Sequence, residues 1–232
     1  MGTIYCGPPP IPVQLWTSWN LDPWLLGALA ILTIAFRRNK IGLAAVAILA
    51  VAFVSPLCAL SSALFSARAA HHVILVAIAA PLLAQALPAR RARALTPAFL
   101  TSTVILWIWH IPAAYDLALS TVAIYWLMQL TLLASATWFW GAVFAKPGSL
   151  VDRMAFIVAS FAQMGMLGAI LTFAPQAVYA AHAVAPYAWG LTPLEDQQLA
   201  GLIMWVPAAI PYAGAAAFMA RRNWVRVASG AP

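Results

Sequence analysis

Apolar residues follow one another along this chain in long runs, and the few polar residues cluster between the runs. The segment Ala69–Leu87 shows the pattern, because after His71 and His72 it contains a single polar side chain, Gln85. A helix that crosses a membrane needs about 20 mostly apolar residues. Only helices and closed barrels satisfy their backbone hydrogen bonds in lipid, and these runs are too long for strands. The pattern therefore predicts an all-α membrane protein.

Seven runs qualify as helices, which predicts a seven-transmembrane helix bundle. The first run is the shortest, and its start is marked by Asp22 as a cap and Pro23 at the first helical position. Pro112 is expected to end the fourth run. We expect one bundle at 23–220, after an outer segment at 1–22 and before a cytoplasmic tail at 221–232. The predicted helices are Pro23–Phe36, Ile41–Leu64, Ala69–Leu87, Leu95–Ile111, a segment within Leu117–Ala145, Arg153–Ala174 and Gln197–Ala220.

Basic residues give the predicted bundle an orientation. Eleven of the twelve fall on alternate connections between the helices, and Arg68 is the exception. Lysine and arginine favour cytoplasmic loops, so the N-terminus is predicted outside and the C-terminus in the cytoplasm. The net charge of +7 then reflects membrane topology, and no nucleic-acid partner is expected. The eleven residues are Arg37, Arg38, Lys40, Arg90, Arg91, Arg93, Lys146, Arg153, Arg221, Arg222 and Arg226.

Composition supports the membrane assignment and limits what the cysteines can do. The chain is 65% hydrophobic and 7% charged, whereas soluble domains are about 25% charged. Cys6 and Cys58 are too few and too scattered for a disulfide framework, and a single bridge between them is left open. The chain contains no Walker loop, zincin motif, nucleophile elbow or dinucleotide fingerprint, so no catalytic activity is expected.

All four histidines are predicted at the outer side of the bundle. Imidazole is a ligand for copper, zinc and iron. Adjacent helical residues point about 100° apart, so we expect His72 to face the bundle and bind the metal. His71 is expected to face the membrane interface, as a spectator or as a replacement donor to the metal. The third and fourth helices are joined by a short connection, which is expected to bring His72 and His110 together. His182 falls in the outer loop before the last helix.

Three further side chains are candidates for this outer site. Asp116 and Asp196 are predicted second-shell partners or auxiliary ligands of the metal, because a carboxylate orients a ligating imidazole. For Asp196 the alternative is a capping role at the start of the last helix. Met204 is a candidate thioether ligand for copper(I). Arg68 is expected to pair with one of the outer acids.

Three motifs together resemble the CtaG family of bacterial cytochrome c oxidase assembly factors. They are SPLCALSSALFSARAAHHVILVAIAAPLL, WHIPAAYDLAL and PLEDQQLAGLIMWVP, and the resemblance spans the second to the seventh predicted helix. It implies a seven-helix protein of the bacterial inner membrane that takes part in the maturation of haem–copper oxidases. A role in copper binding or delivery, as a metallochaperone, is implied with it.

The resemblance also assigns individual positions. It implies that His72, His110 and Asp116 match family residues, and that Asp196 and Met204 belong to the last motif. The family has histidine at three further positions, and this chain carries other residues there: Arg68, Tyr125 and Gln129. The expected partners are cytochrome c oxidase subunits and the lipid bilayer, and a homo-oligomer is left open.

Two other interpretations of the histidines remain. One is a membrane haem b electron-transfer protein with His72 and His110 as axial ligands, which needs only two facing histidines. The other is a structural subunit that holds oxidase subunits and binds no metal.

Overall fold

The chain folds into helices throughout the part that the structure describes. This structure, a computed structural model, describes residues 5–87, 94–145 and 149–228, without the side chains of 226 and 227. It is 82% helical and has no strand in those ranges. The predicted inner-loop residues Arg90, Arg91, Arg93 and Lys146 and the side chain of Arg226 lie outside the described residues. The helices are α1 Pro23–Ala35, α2 Lys40–Phe53, α3 Pro56–Ala63, α4 Phe65–Ala86, α5 Leu95–Ile108, α6 Pro112–Ser120, α7 Val122–Phe144, α8 Leu150–Phe173 and α9 Pro193–Ala228.

The described residues provide four to six candidate spans, fewer than the seven predicted. Four helices, α4, α7, α8 and α9, are each long and apolar enough to cross a membrane alone. Two bent pairs, α2 with α3 and α5 with α6, pass the same test when each pair is taken as one span. The short helix α1 has 13 residues, which is about 20 Å at 1.5 Å per residue. That length falls short of the roughly 30 Å hydrocarbon core.

Proline and capping residues explain where several helices begin. Asp22 directly precedes Pro23, the first residue of α1, and its side chain accepts a hydrogen bond from Trp24 N–H. This confirms the predicted start of α1. Ser55 caps α3 in the same way, with Pro56 at its first position, so the predicted helix Ile41–Leu64 is bent by 44°. Pro112 begins α6 after a 76° bend that follows Ile108.

Helix α4 occupies the centre of the bundle. It packs against α2, α3, α7 and α9. It begins at Phe65, four residues earlier than predicted, and its middle turns, Ile74–Ala79, are π-helical. A π-helical segment adds backbone within each turn and changes which side chains face each neighbour. The histidines lie in the first part of α4, ahead of this segment.

One packing relationship differs from the predicted one. Helix α5 packs on α7 and α8 more than on α4, although its sequence neighbour α4 was the expected partner. Helices α8 and α9 pack most extensively, and their backbones approach each other closely at Gly168 and Gly201. A methyl group on Gly201 would clash with the Gly168 carbonyl oxygen. Small residues of this kind let membrane helices approach closely.

An N-terminal strap, residues Tyr5–Thr17, lies across the end of the bundle that carries the histidines. A disulfide bond joins Cys6 to Cys58 on α3. The ring of Tyr5 stacks on Tyr125 of α7 at a centroid distance of 5.0 Å, and the Trp189 indole donates a hydrogen bond to the Pro10 carbonyl. The bridge that the sequence left open is therefore present, and it fastens the strap to the helices.

Candidate functional site

Asp196 stabilises the start of the helix that carries His71 and His72. Its carboxylate is fully buried and accepts hydrogen bonds from the backbone N–H groups of Phe65, at 2.6 Å, and Ser66, at 3.1 Å. The Ser66 hydroxyl donates to the same carboxylate. The first amides of a helix have no partner within the helix, and Leu64 offers no capping side chain. Asp196 therefore caps α4 from α9, whereas the sequence placed its capping role at the start of its own helix.

Both histidines of α4 are buried, which corrects the prediction that His71 faces the membrane interface. His71 has 0% and His72 has 3% of its surface exposed. The ring of His71 meets the edge of Phe53 on α2 at a centroid distance of 5.0 Å. Side chains of α2 thus cover the side of α4 that the prediction assigned to lipid. The two rings do point to different neighbours, as their positions one residue apart require.

His72 lies against His110, at a ring-centroid distance of 5.8 Å. His110 follows the end of α5, and its Nδ1 lies 2.7 Å from the Leu106 carbonyl oxygen. Since a carbonyl accepts, Nδ1 carries the proton, which leaves the lone pair on Nε2. Neither ring nitrogen of His72 has a hydrogen-bond partner in the described part of the chain. The pair therefore offers two buried imidazoles whose nitrogens are available as donors to a metal ion.

Arg68 lies one turn before His72 and is fully buried. Its Nη1 lies 3.5 Å from the Tyr125 hydroxyl, and its guanidinium lies 5.2 Å from the centre of that ring. Among the described residues it forms no ion pair with an acid, which corrects the predicted pairing with an outer carboxylate. A cation over an aromatic face is stabilised by the ring quadrupole. Tyr125 thus takes the place of an acidic partner.

Two of the three positions at which the family resemblance implies histidine are in contact here. Arg68 and Tyr125 touch each other, and Gln129 lies one turn after Tyr125 on α7, 1% exposed. The side-chain amide of Gln129 has no hydrogen-bond partner in the described ranges. A cation, a phenol and an amide therefore occupy buried positions where the resemblance implies imidazoles.

The loop between α8 and α9, predicted on the outer side, covers this region through His182. Its Nδ1 donates to the Ala63 carbonyl oxygen, at 3.3 Å, and its Nε2 accepts from the Tyr115 hydroxyl, at 2.8 Å. Burial lowers the pKa of His182 to about 4, the bond to Ala63 opposes this shift, and the positive charge of Arg68 adds to it. His182 is consequently a neutral structural residue.

Asp116 also fixes the position of the loop between α8 and α9 through a hydrogen bond. Its Oδ1 accepts a hydrogen bond from the backbone N–H of Ala181, at 3.2 Å. The Tyr179 hydroxyl donates to the His110 carbonyl oxygen, at 2.8 Å, and its ring stacks on Phe65 at 4.1 Å. Asp116 and Tyr179 thus position the loop over the paired histidines. No hydrogen bond joins Asp116 to His110 within the described residues.

The predicted ligands do not converge on one point. Met204 is buried in the interface with α8, where its Cβ lies 3.2 Å from the place of a methyl group on Gly168. Within residues 5–87, 94–145 and 149–228, no three side chains of histidine, cysteine, aspartate or glutamate are grouped to hold a metal ion. His72 and His110 remain as a two-donor set. Two donors are fewer than the four of a structural zinc site and suit the low coordination number of copper(I).

Sequence reasoning missed two contacts of the site. The contact of Tyr115 with His182 joins two distant segments that no local pattern connects. The cap on the start of α4 was missed because Asp196 lies 131 positions after Phe65. The bridge between Cys6 and Cys58 was left open rather than predicted, because 52 positions separate the two residues. By contrast, Ser55 followed by Pro56 is a readable helix start that the continuous apolar run masked.

Comparison with known proteins returns one family. The family described as cytochrome c oxidase caa3 assembly factor matches residues 33–226. The match includes the paired histidines and the capping aspartate, and it agrees with the resemblance found in the three motifs. No curated protein and no solved structure matches the chain.

Proposed function

Since the chain belongs to the cytochrome c oxidase caa3 assembly factor family, we propose that it binds copper and delivers it to the oxidase at the outer face of the bacterial inner membrane. His72 and His110 hold the ion in this proposal. The observation that carries it is the proximity of two buried imidazoles, one on α4 and one in the turn between α5 and α6, with ring centroids 5.8 Å apart. The ion is a cargo, and no catalysis by the protein is involved.

The chemistry of the pair supports transfer rather than permanent storage. Two imidazoles give copper(I) fewer ligands than the three or four that it can accept, so an acceptor protein can add its own ligands before the ion leaves. The hydrogen bond from His110 Nδ1 to the Leu106 carbonyl fixes the tautomer that presents Nε2 to the metal. Arg68, a fully buried cation one turn before His72, disfavours a second cation in the same region. Weak cation binding of this kind suits a carrier.

The disulfide bond supports the outer assignment. Disulfides persist in the periplasm and outside the cell and are rare in the cytosol. The bond between Cys6 and Cys58 lies at the same end of the bundle as the histidines, because Cys6 contacts the Tyr125 hydroxyl at 3.3 Å. The alternating basic loops predict the same orientation.

Metal analysis and an absorption spectrum of the detergent-purified protein test this proposal. Near one equivalent of bound copper without a Soret band supports it. A Soret band identifies the haem b alternative, and neither copper nor haem identifies a structural oxidase-binding protein. In cells, His110→Gln should impair oxidase maturation because it removes the imidazole. The glutamine amide can still donate a hydrogen bond to the Leu106 carbonyl, so the local structure should be kept. Arg38→Gln, at an exposed position on the opposite end, is the matched control.

A further inference from the structure

A pocket of about 490 Å³ opens at the end of the bundle opposite the histidines. It lies where α4, α7 and α9 end and α8 begins. The hydrogen bond from Asn39 to the Ala86 carbonyl places the connection between α1 and α2 at the same end. Nothing in the proposed copper chemistry uses this pocket.

Three arginines line the pocket: Arg153, Arg221 and Arg222. The Arg153 guanidinium is held in place by the carbonyl oxygens of Ala145 and Ser149, each at 3.4 Å. The Arg222 guanidinium lies 5.5 Å from the centre of the Phe218 ring. No carboxylate is among the described residues that line the pocket. The pocket therefore concentrates positive charge that the described lining does not neutralise.

Most of the remaining lining is apolar, and its two other polar residues are Gln85 and Asn223. Phe144, Phe218 and Val225 face the space between the helix ends. Trp224 is 76% exposed beside it, as expected for an aromatic side chain at the level of lipid headgroups. A site with cations at its rim and hydrocarbon on its walls fits an amphiphile better than a small hydrophilic anion.

The geometry points to a binding site for one anionic phospholipid in this pocket. The three arginines hold the phosphate, and the first carbons of an acyl chain lie against Phe218 and Phe144. Basic pockets between membrane helices bind such headgroups. The lipid would join the ends of α8 and α9 to those of α4 and α7 at the inner leaflet of the proposed topology.

Native mass spectrometry of the full chain in mild detergent tests the site, with phosphatidylglycerol and phosphatidylcholine as probes. Phosphatidylglycerol should bind more tightly, with one lipid retained. Each arginine near a lipid surface contributes about fivefold in affinity, so Arg221→Gln/Arg222→Gln should lower binding about 25-fold. Both positions are exposed, so the fold should persist. The matched control is Arg37→Gln/Arg38→Gln, which removes the same charge at the same end of the bundle, outside the pocket lining.

Three results would overturn the inference. Equal retention of the two lipids would show that the site does not distinguish an anionic headgroup from a zwitterionic one. An equal loss in the Arg37→Gln/Arg38→Gln protein would show general attraction to a basic surface. Displacement of the lipid by millimolar inorganic phosphate or glycerol phosphate would show an anion site in which the apolar wall plays no part.

Discussion

The carboxylate of Asp196 accepts hydrogen bonds from both the backbone N–H and the hydroxyl of Ser66. Asp196 stands in the first turn of α9, and Ser66 stands in the first turn of α4. This contact replaces a local cap and joins two candidate membrane-spanning helices at the end where the histidines lie. The position of His72 therefore depends on a residue from the last helix of the chain.

Loss of the Asp196 carboxylate should destabilise the protein. Asp196→Ala leaves the Phe65 and Ser66 amides without a partner in a buried position, and we expect a loss of about 2–3 kcal/mol in unfolding free energy. Asp196→Asn keeps one accepting oxygen and should lose less. Thermal unfolding in detergent measures both variants. Glu195→Gln is the control, because Glu195 is exposed and a glutamine preserves its capping contacts with Thr192. Equal stability of Asp196→Ala and wild type would contradict the capping role.

His72 and His110 should behave as one copper site. Either single alanine substitution should abolish binding, and the double variant should lose little more than one single variant, since non-additivity marks residues of one site. His71→Ala should lower affinity by no more than about tenfold, although it should reduce the melting temperature because His71 packs on Phe53. Copper titration of all four proteins measures the effect. Loss of copper in His71→Ala with retention in His72→Ala would reverse the assignment.

Substitution at Gly201 should separate α8 from α9. A methyl group there would lie 2.8 Å from the Thr172 amide nitrogen and closer still to the Gly168 carbonyl. We expect Gly201→Ala to lower stability by about 1–3 kcal/mol. On the same helix, a methyl group on Gly214 meets nothing within 4 Å, and Gly214→Ala should be neutral or stabilise by up to about 1 kcal/mol. Gly201→Ala should therefore melt at a lower temperature than Gly214→Ala, and equal melting temperatures would refute the close approach.

Acid should destabilise the protein in part through His182. Burial lowers the pKa of this imidazole to about 4, whereas in the unfolded chain it titrates near its ordinary value of about 6.5. Between these values the unfolded state binds more protons, so stability falls as pH drops from about 6.5 to about 4, by about 3 kcal/mol in total. Below that range His182 adds no further loss. His182→Gln should flatten this part of the pH–stability curve, and Tyr115→Phe, which removes only the hydroxyl partner, should keep it.

The predicted orientation can be checked at Cys6. In a Cys58→Ser protein the strap is released from its disulfide, and the thiol of Cys6 should react with a membrane-impermeant maleimide added to intact cells. A Cys6→Ser/Cys58→Ser protein gives the background. Labelling that occurs only after the cytoplasmic side is opened would place the N-terminus inside.

The sequence predicts the helices well where the signal is local. Asp22 and Pro23 mark the start of α1 because capping and proline geometry act over two or three residues. The long apolar runs of α7 and α8 are also local signals, although α8 begins at Leu150, three residues before the predicted Arg153, with Ser149 as its cap. The bend at Pro112 was placed correctly as a helix end, but the helix that follows it was not foreseen.

The site is less predictable because it depends on contacts between distant segments. His72 and His110 could be paired from their depth, yet the helix expected to pack on α4 lies mainly on α7 and α8. Phe53 covers His71 because of the bend between α2 and α3. Arg68 lies over Tyr125 because of the way α7 packs. No periodicity in the sequence encodes such contacts.

The order of synthesis gives the cap on α4 a further consequence. Asp196 leaves the ribosome 131 residues after Phe65, which is roughly 7–26 s at ordinary rates of elongation. During that interval α4, which carries His71 and His72, is in the membrane without its cap and without the loop that covers it. The start of α4 is thus capped only after residue 196 has been made, and a chain truncated before that residue would carry His72 on a helix without its cap.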